Sequence, residues 1–134
     1  MGTQPPASES PFSSRAVAIL LVEDEEALRE SVCEYLRMQG YTVLEAANGE
    51  AALQMAKEHA GPIDLVITDV VMPKMDGPRL VSELAKSRPE AAVVYISGHG
   101  EHSVPAAAGS PKTALLHKPF ALKTLLRTIR RLVA

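Results

Sequence analysis

Apolar runs that stop abruptly at polar residues constrain this chain more than any other feature. AVAILLV (16–22), IDLVIT (63–68), AAVVYI (91–96) and TALLH (113–117) each read as a buried strand. A shorter strand-like segment, 42–45, lies between the first two. The long runs do not alternate apolar with polar residues, so the sheet they form is covered on both faces. Between them lie stretches of helical periodicity, roughly 25–39, 48–59, 77–87 and 120–133. Strands alternating with helices of this length predict a parallel, doubly wound α/β sheet. Right-handed crossovers then place helices on both of its faces.

The punctuation between elements agrees. Gly40 ends the first helix as a left-handed cap, and the side chain of Asn48 caps the first turn of the second. Gly61-Pro62 and Arg88-Pro89 break the chain before the third and fourth strands. One crossover is weak. GHGEHSVPAAAGSP (98–111) contains Pro105, Gly109 and Pro111, and proline is tolerated only in a helix's first turn. The expectation there is a single turn near 105–108, or a mobile loop, in place of a regular fourth helix.

Residues 1–15 are rich in proline and serine and are expected to be a disordered tail or linker, with one domain over 16–134. No apolar stretch is long enough to span a membrane, and no secretory signal is visible. A net charge of −2 and the lack of a basic patch with interleaved aromatics give no sign of a nucleic-acid-binding module. The one cysteine, Cys33, cannot form an intramolecular disulfide. It falls within a helical pattern and is expected to be a small buried side chain. These features fit a cytoplasmic protein.

In an open parallel sheet the C-terminal strand ends share one edge, where ligands bind. Here that edge gathers Glu23 and Asp24 after the first strand, Asp69 after the third, Ser97 after the fourth and Lys118 after the fifth. Two adjacent carboxylates repel unless a cation lies between them, which favours a hard divalent ion such as Mg²⁺. Taken alone, the pair reads first as a solvated turn with Asp24 capping the next helix, since adjacent acids are common. Asp69 carries the sharper signal. It ends an apolar run, where an acid stays ionised only if paired or metal-bound, and a carboxylate can attack phosphorus to form an acyl phosphate. Met72-Pro73 and Asp76-Gly77 shape the turn that follows. The Ser97 hydroxyl can donate to a phosphoryl oxygen, and the Lys118 ammonium can offset phosphoryl charge.

VEDE, DLVITDVVMPKMDGPRLV, YISG and HKPF stand in the order and spacing of the receiver domain of two-component signalling, which the chain resembles over about 16–133. The resemblance implies a flavodoxin-like five-stranded sheet in the order 2-1-3-4-5. It implies that Asp69 is the phosphoacceptor, that Glu23 and Asp24 form the acidic pair, and that Asp24, Asp69 and the Val71 carbonyl hold Mg²⁺. Ser97 becomes the switch hydroxyl and Lys118 the phosphate-contacting lysine, with a cis bond to Pro119. The implied partner is a histidine kinase or histidine phosphotransfer protein, and the implied state a monomer or weak dimer. Side chains two positions after Asp69 and after Ser97, here Val71 and His99, influence hydrolysis in that family. The aromatic usual three positions before the lysine is Leu115 here, expected to stay packed.

Lys123, Arg127, Arg130 and Arg131 form a helical stripe, read as a solvated face or a docking surface for an acidic helix. The chain stops after the last helix, so the expected contexts are a free-standing regulator or a receiver from the C-terminus of a hybrid kinase. A degenerate interaction module would have lost Asp69, Lys118 or the acidic pair. A dinucleotide-binding domain would show G-x-G-x-x-G after the first strand. A haloacid-dehalogenase-like phosphohydrolase would carry a second acid at Val71.

Overall fold

The computed structural model describes residues 15–98 and 112–133. Five strands, β1 (Ala18–Val22), β2 (Thr42–Ala46), β3 (Leu65–Asp69), β4 (Ala92–Ser97) and β5 (Thr113–His117), form one parallel sheet in the order β2-β1-β3-β4-β5. The helices are α1 (Glu26–Met38), α2 (Gly49–Glu58), α3 (Gly77–Ala85) and α4 (Leu122–Val133). The expected architecture and strand order are therefore present. The weak crossover, with His99 and the turn near 105–108, lies outside the described residues, as does the tail up to residue 14.

Successive strand residues point to opposite faces, and the core divides accordingly. Ile19, Leu21, Leu65, Ile67, Val94 and Ile96 pack against Val32 and Leu36 of α1 and Leu125 and Ile129 of α4. Leu20, Val22 and Val66 pack on the other face against Ala52 and Ala56 of α2 and Leu80 and Leu84 of α3. Every residue of β1, β3 and β4 is buried, which is why these strands read as unbroken apolar runs.

Strand limits shift from the sequence reading for local reasons. β1 begins at Ala18, where the ladder with Thr42 starts. β3 begins at Leu65 because the Asp64 side chain, not a strand carbonyl, takes the Ala18 N–H at 2.8 Å. It extends to Asp69, which pairs with Ile96, and the Val70 N–H continues that ladder onto the Ile96 carbonyl.

Helix ends follow the expected caps. Gly40 adopts φ +97°, and the Tyr41 N–H returns to the Leu36 carbonyl, closing α1. Asn48 accepts from the Ala51 N–H at 2.7 Å, and Asp76, read from the sequence only as a turn residue, caps α3 by accepting from the Arg79 N–H at 2.9 Å. The C-terminus of α2 has a partner the sequence did not suggest. Arg88 donates to the carbonyls of Ala56, His59 and Gly61 at 2.6–2.9 Å, meeting carbonyls a helix end leaves unbonded.

Candidate functional site

Register builds the site. Val22 of β1 pairs with Thr68 of β3, so the residues that follow, Glu23 and Asp69, stand side by side where the sheet order reverses. The Lys118 N–H bonds to the Ser97 carbonyl at 2.8 Å, which carries the lysine to the same edge. The Lys118–Pro119 bond is cis, as expected.

The two acids after β1 differ. Glu23 is 4% exposed and Asp24 is exposed, a distinction adjacent letters could not convey. Glu23 is tethered throughout. Its N–H donates to the Ala46 carbonyl, one carboxylate oxygen accepts the Glu25 N–H at 3.0 Å, and the other lies 3.2 Å from Lys118 Nζ. Its carbonyl accepts Arg29 Nη1 at 2.8 Å. Asp24 does not cap α1. The N-cap is Glu25, without a side-chain bond.

Asp69 is 5% exposed. Its Oδ1 lies 3.3 Å from Lys118 Nζ, an ion pair without hydrogen-bond alignment. Among the described residues Oδ1 is the one buried side-chain polar atom with no hydrogen-bond partner. Burial, and then the neighbouring Glu23 carboxylate, push the Asp69 carboxyl up to about 7, with Lys118 opposing. Burial pulls the Lys118 ammonium down, but Asp69 and Glu23 outweigh it and hold the lysine above its usual range. Oxygens of Glu23, Asp24 and Asp69 lie within 4.8 Å of one another. An all-carboxylate donor set with one oxygen left unbonded fits a hard, oxygen-seeking dication.

The turn after Asp69 is tightly folded. Lys74 has φ +70°, and the Gly77 N–H returns to the Val70 carbonyl at 2.8 Å. A Cβ at Gly77 would collide with the Asp69 carbonyl oxygen, so glycine is required for this close approach. The Val71 side chain, two positions after Asp69, is 60% exposed. Ser97, the last residue of β4, is buried, one position beyond the residue that pairs with Asp69. Its hydroxyl lies 3.4 Å from the Gly98 carbonyl, so it is only weakly engaged. Leu115 pairs across the sheet with Tyr95 and packs with Val70, Val93 and Tyr95, the packed position expected of it. Cys33 is buried as expected, and burial pushes its thiol up to about 11. Lys123, Arg127, Arg130 and Arg131 are all exposed along α4. The Arg29 contact was missed by sequence reasoning. Its only signal, an arginine six residues after Glu23, has meaning once α1 is folded beside the loop.

Sheet order and site together define a flavodoxin-like domain with a cation-competent acidic pocket at its switch point. A profile of the response regulator receiver domain matches residues 19–130, and the chain belongs to this family. It is 43% identical over 124 residues to the sensor kinase CckA of Brucella abortus, covering 90% of this chain but 13% of that protein. The response regulator receiver protein CpdR of the same organism is 32% identical, with 86% of this chain and 95% of CpdR covered. Among solved structures, the receiver domain of the hybrid histidine kinase CckA superposes with a TM-score of 0.74 at 39% identity, over 87% of this chain and 99% of that one. Vibrio cholerae CheY4 superposes with a TM-score of 0.76 at 28% identity, over 88% and 99% respectively.

Proposed function

We propose that this two-component receiver domain accepts a phosphoryl group from a phosphohistidine onto Asp69 and transmits the change by protein contact. The observation that carries the reading is the unbonded, buried Oδ1 of Asp69, facing Lys118 and flanked by Glu23 and Asp24. An Asp69 oxygen attacks phosphorus in line. The O–P bond forms as the N–P bond to the donor imidazole breaks, and the electron pair returns to that nitrogen, which takes up a proton. Mg²⁺ bound by Glu23, Asp24 and Asp69, with the Val71 carbonyl, would hold Asp69 ionised and offset charge on the transferring oxygens.

The chain's own residues do the rest. Lys118 leaves Asp69 to meet the phosphoryl oxygens, and the weakly held Ser97 hydroxyl turns to donate to them. That reorganisation biases the β4–β5 edge, where Leu115 packs on Tyr95, towards a second arrangement. Val71 and His99 tune how fast water removes the phosphoryl group. The partner is a histidine kinase or histidine phosphotransfer protein, met in the cytoplasm by a monomer or weak dimer. Similarity to CckA supports a hybrid-kinase setting, and similarity to CpdR a free-standing one.

Heteronuclear NMR tests the reading. Titration with Mg²⁺ and then beryllofluoride should shift amides near Glu23, Asp24 and Asp69 first, and those near Ser97 second. A folded domain unmoved by both ligands would reduce the site to a relic.

A further inference from the structure

Arg29 lies on α1 with its side chain 17% exposed, and it reaches back to the loop that carries the acidic pair. Its Nη1 donates to the Glu23 carbonyl at 2.8 Å, while its Nε lies 3.6 Å from Glu45 on β2. Glu45 is itself 3.6 Å from Arg37, which donates to the Val43 carbonyl at 2.8 Å. The Glu23 N–H is meanwhile bonded to Ala46, the residue after Glu45. The loop is thus fastened to β2 twice, once directly and once through the Arg29 guanidinium.

The carbonyl that Arg29 grips belongs to the peptide joining Glu23 to Asp24. A peptide unit is planar, so fixing its oxygen places the Asp24 N and Cα, and the carboxylate then turns about that fixed point through φ and χ1 of Asp24. That matters because Asp24 is the exposed member of the cluster, and none of its side-chain hydrogen bonds appears among the described residues. Glu23 and Asp69 are aimed by burial and by Lys118. Among the described residues, what holds Asp24 is its backbone.

We propose that Arg29, steadied by Glu45, is a positioning residue for the cation pocket, acting through the Glu23–Asp24 peptide. The proposal rests on the Mg²⁺ reading above. It differs in sign from the obvious alternative. By Coulomb's law alone a guanidinium on the loop that carries the acidic pair opposes a dication, and removing it would tighten binding. If positioning dominates, removing it weakens binding.

The test is Mg²⁺ titration of the whole chain followed by amide NMR, for the parent, R29Q, R29K and E45Q. Arg29→Gln should weaken Mg²⁺ binding about tenfold, the lower end for loss of a group that orients metal ligands. Arg29→Lys should weaken it comparably, because one ammonium cannot grip the carbonyl and span to Glu45. Glu45→Gln should act in the same direction but less. Thermal unfolding in EDTA separates this role from a structural one. Any fall in stability without metal reads the lost hydrogen bond, and the positioning role is read from a shrunken rise in midpoint on adding Mg²⁺. Tighter binding in R29Q, or unchanged affinity in R29K and E45Q beside a responsive parent, would overturn the Arg29 role alone. A parent that ignores Mg²⁺ would remove the pocket and this proposal with it. Should R29Q fail to fold, R29K and E45Q decide the question.

Discussion

Two aspartates bracket β3, and the fold treats them in opposite ways. Asp64, just before the strand, accepts Arg15 Nη1 and Nη2 at 2.8 and 2.7 Å and the Ala18 N–H at 2.8 Å. The Arg15 guanidinium first, then the Ala18 N–H, hold its carboxyl below the usual range against the effect of burial. Asp69, at the far end, is buried with one oxygen lacking any hydrogen bond, and its carboxyl is pushed up to about 7. Each has a cation beside it, so charge pairing alone does not separate them. The difference is how fully the protein replaces water around the oxygens. Asp64 is solvated by the chain and fastens the start of β1 to β3. Asp69 is left short of partners, and a group left short has capacity for a ligand.

Substitution at each end breaks the comparison most sharply. In EDTA at mildly alkaline pH, Asp69→Asn should raise unfolding free energy by ~2–4 kcal/mol, because it removes a buried charge, while abolishing phosphoryl uptake. Chemical denaturation and intact-mass analysis after treatment with a small phosphodonor read both effects. Next in size is the response to Mg²⁺. At a hundredfold excess over Kd it should stabilise the parent by about 2.7 kcal/mol and leave Asp69→Asn nearly unmoved. Asp64→Asn should cost about 1–2 kcal/mol, at the low end for a charged hydrogen bond because Arg15 is half exposed, with Mg²⁺ affinity unchanged.

The pH dependence is read as a slope, and its sign differs between the two residues. The folded-state pKa of Asp69 is raised, so its contribution is fully present below about 4 and is lost as pH rises towards 7, at up to ~1.4 kcal/mol per unit. The folded-state pKa of Asp64 is lowered, so its contribution holds above the ordinary carboxylate pKa and is lost as pH falls below it. Unfolding curves of the parent minus those of Asp69→Asn, taken across pH 4–7 without metal, should isolate the first slope. A flat difference would mean that Lys118 already keeps Asp69 ionised.

The same contrast explains what could be read in advance. Asp69 was legible because an acid closing IDLVIT violates the pattern around it, and Gly40 and Asn48 were legible because caps are local. Asp64 sits inside the same apolar run, but nothing nearby in sequence points to Arg15. Arg88 on the carbonyls of α2 and Arg29 on the Glu23 carbonyl were hidden likewise, since each bond spans elements that meet only after folding. The split between buried Glu23 and exposed Asp24 was hidden too. It is set by where β1 leaves the sheet relative to β2, through the Glu23–Ala46 bond, and not by either side chain's chemistry.

The pairing of Val22 with Thr68 also governs when the pocket exists at all. No hairpin or single helix joins these residues, so the seam closes a loop containing β2, α1 and α2, and contacts of such span close slowly. A collapsed intermediate with its helices formed but β1 and β3 apart would hold the acids without the pocket. Metal affinity is then a property of the completed sheet. Amide protons of β1 and β3 should exchange only through global opening, and bound Mg²⁺ should slow that exchange by the full increment it adds to stability.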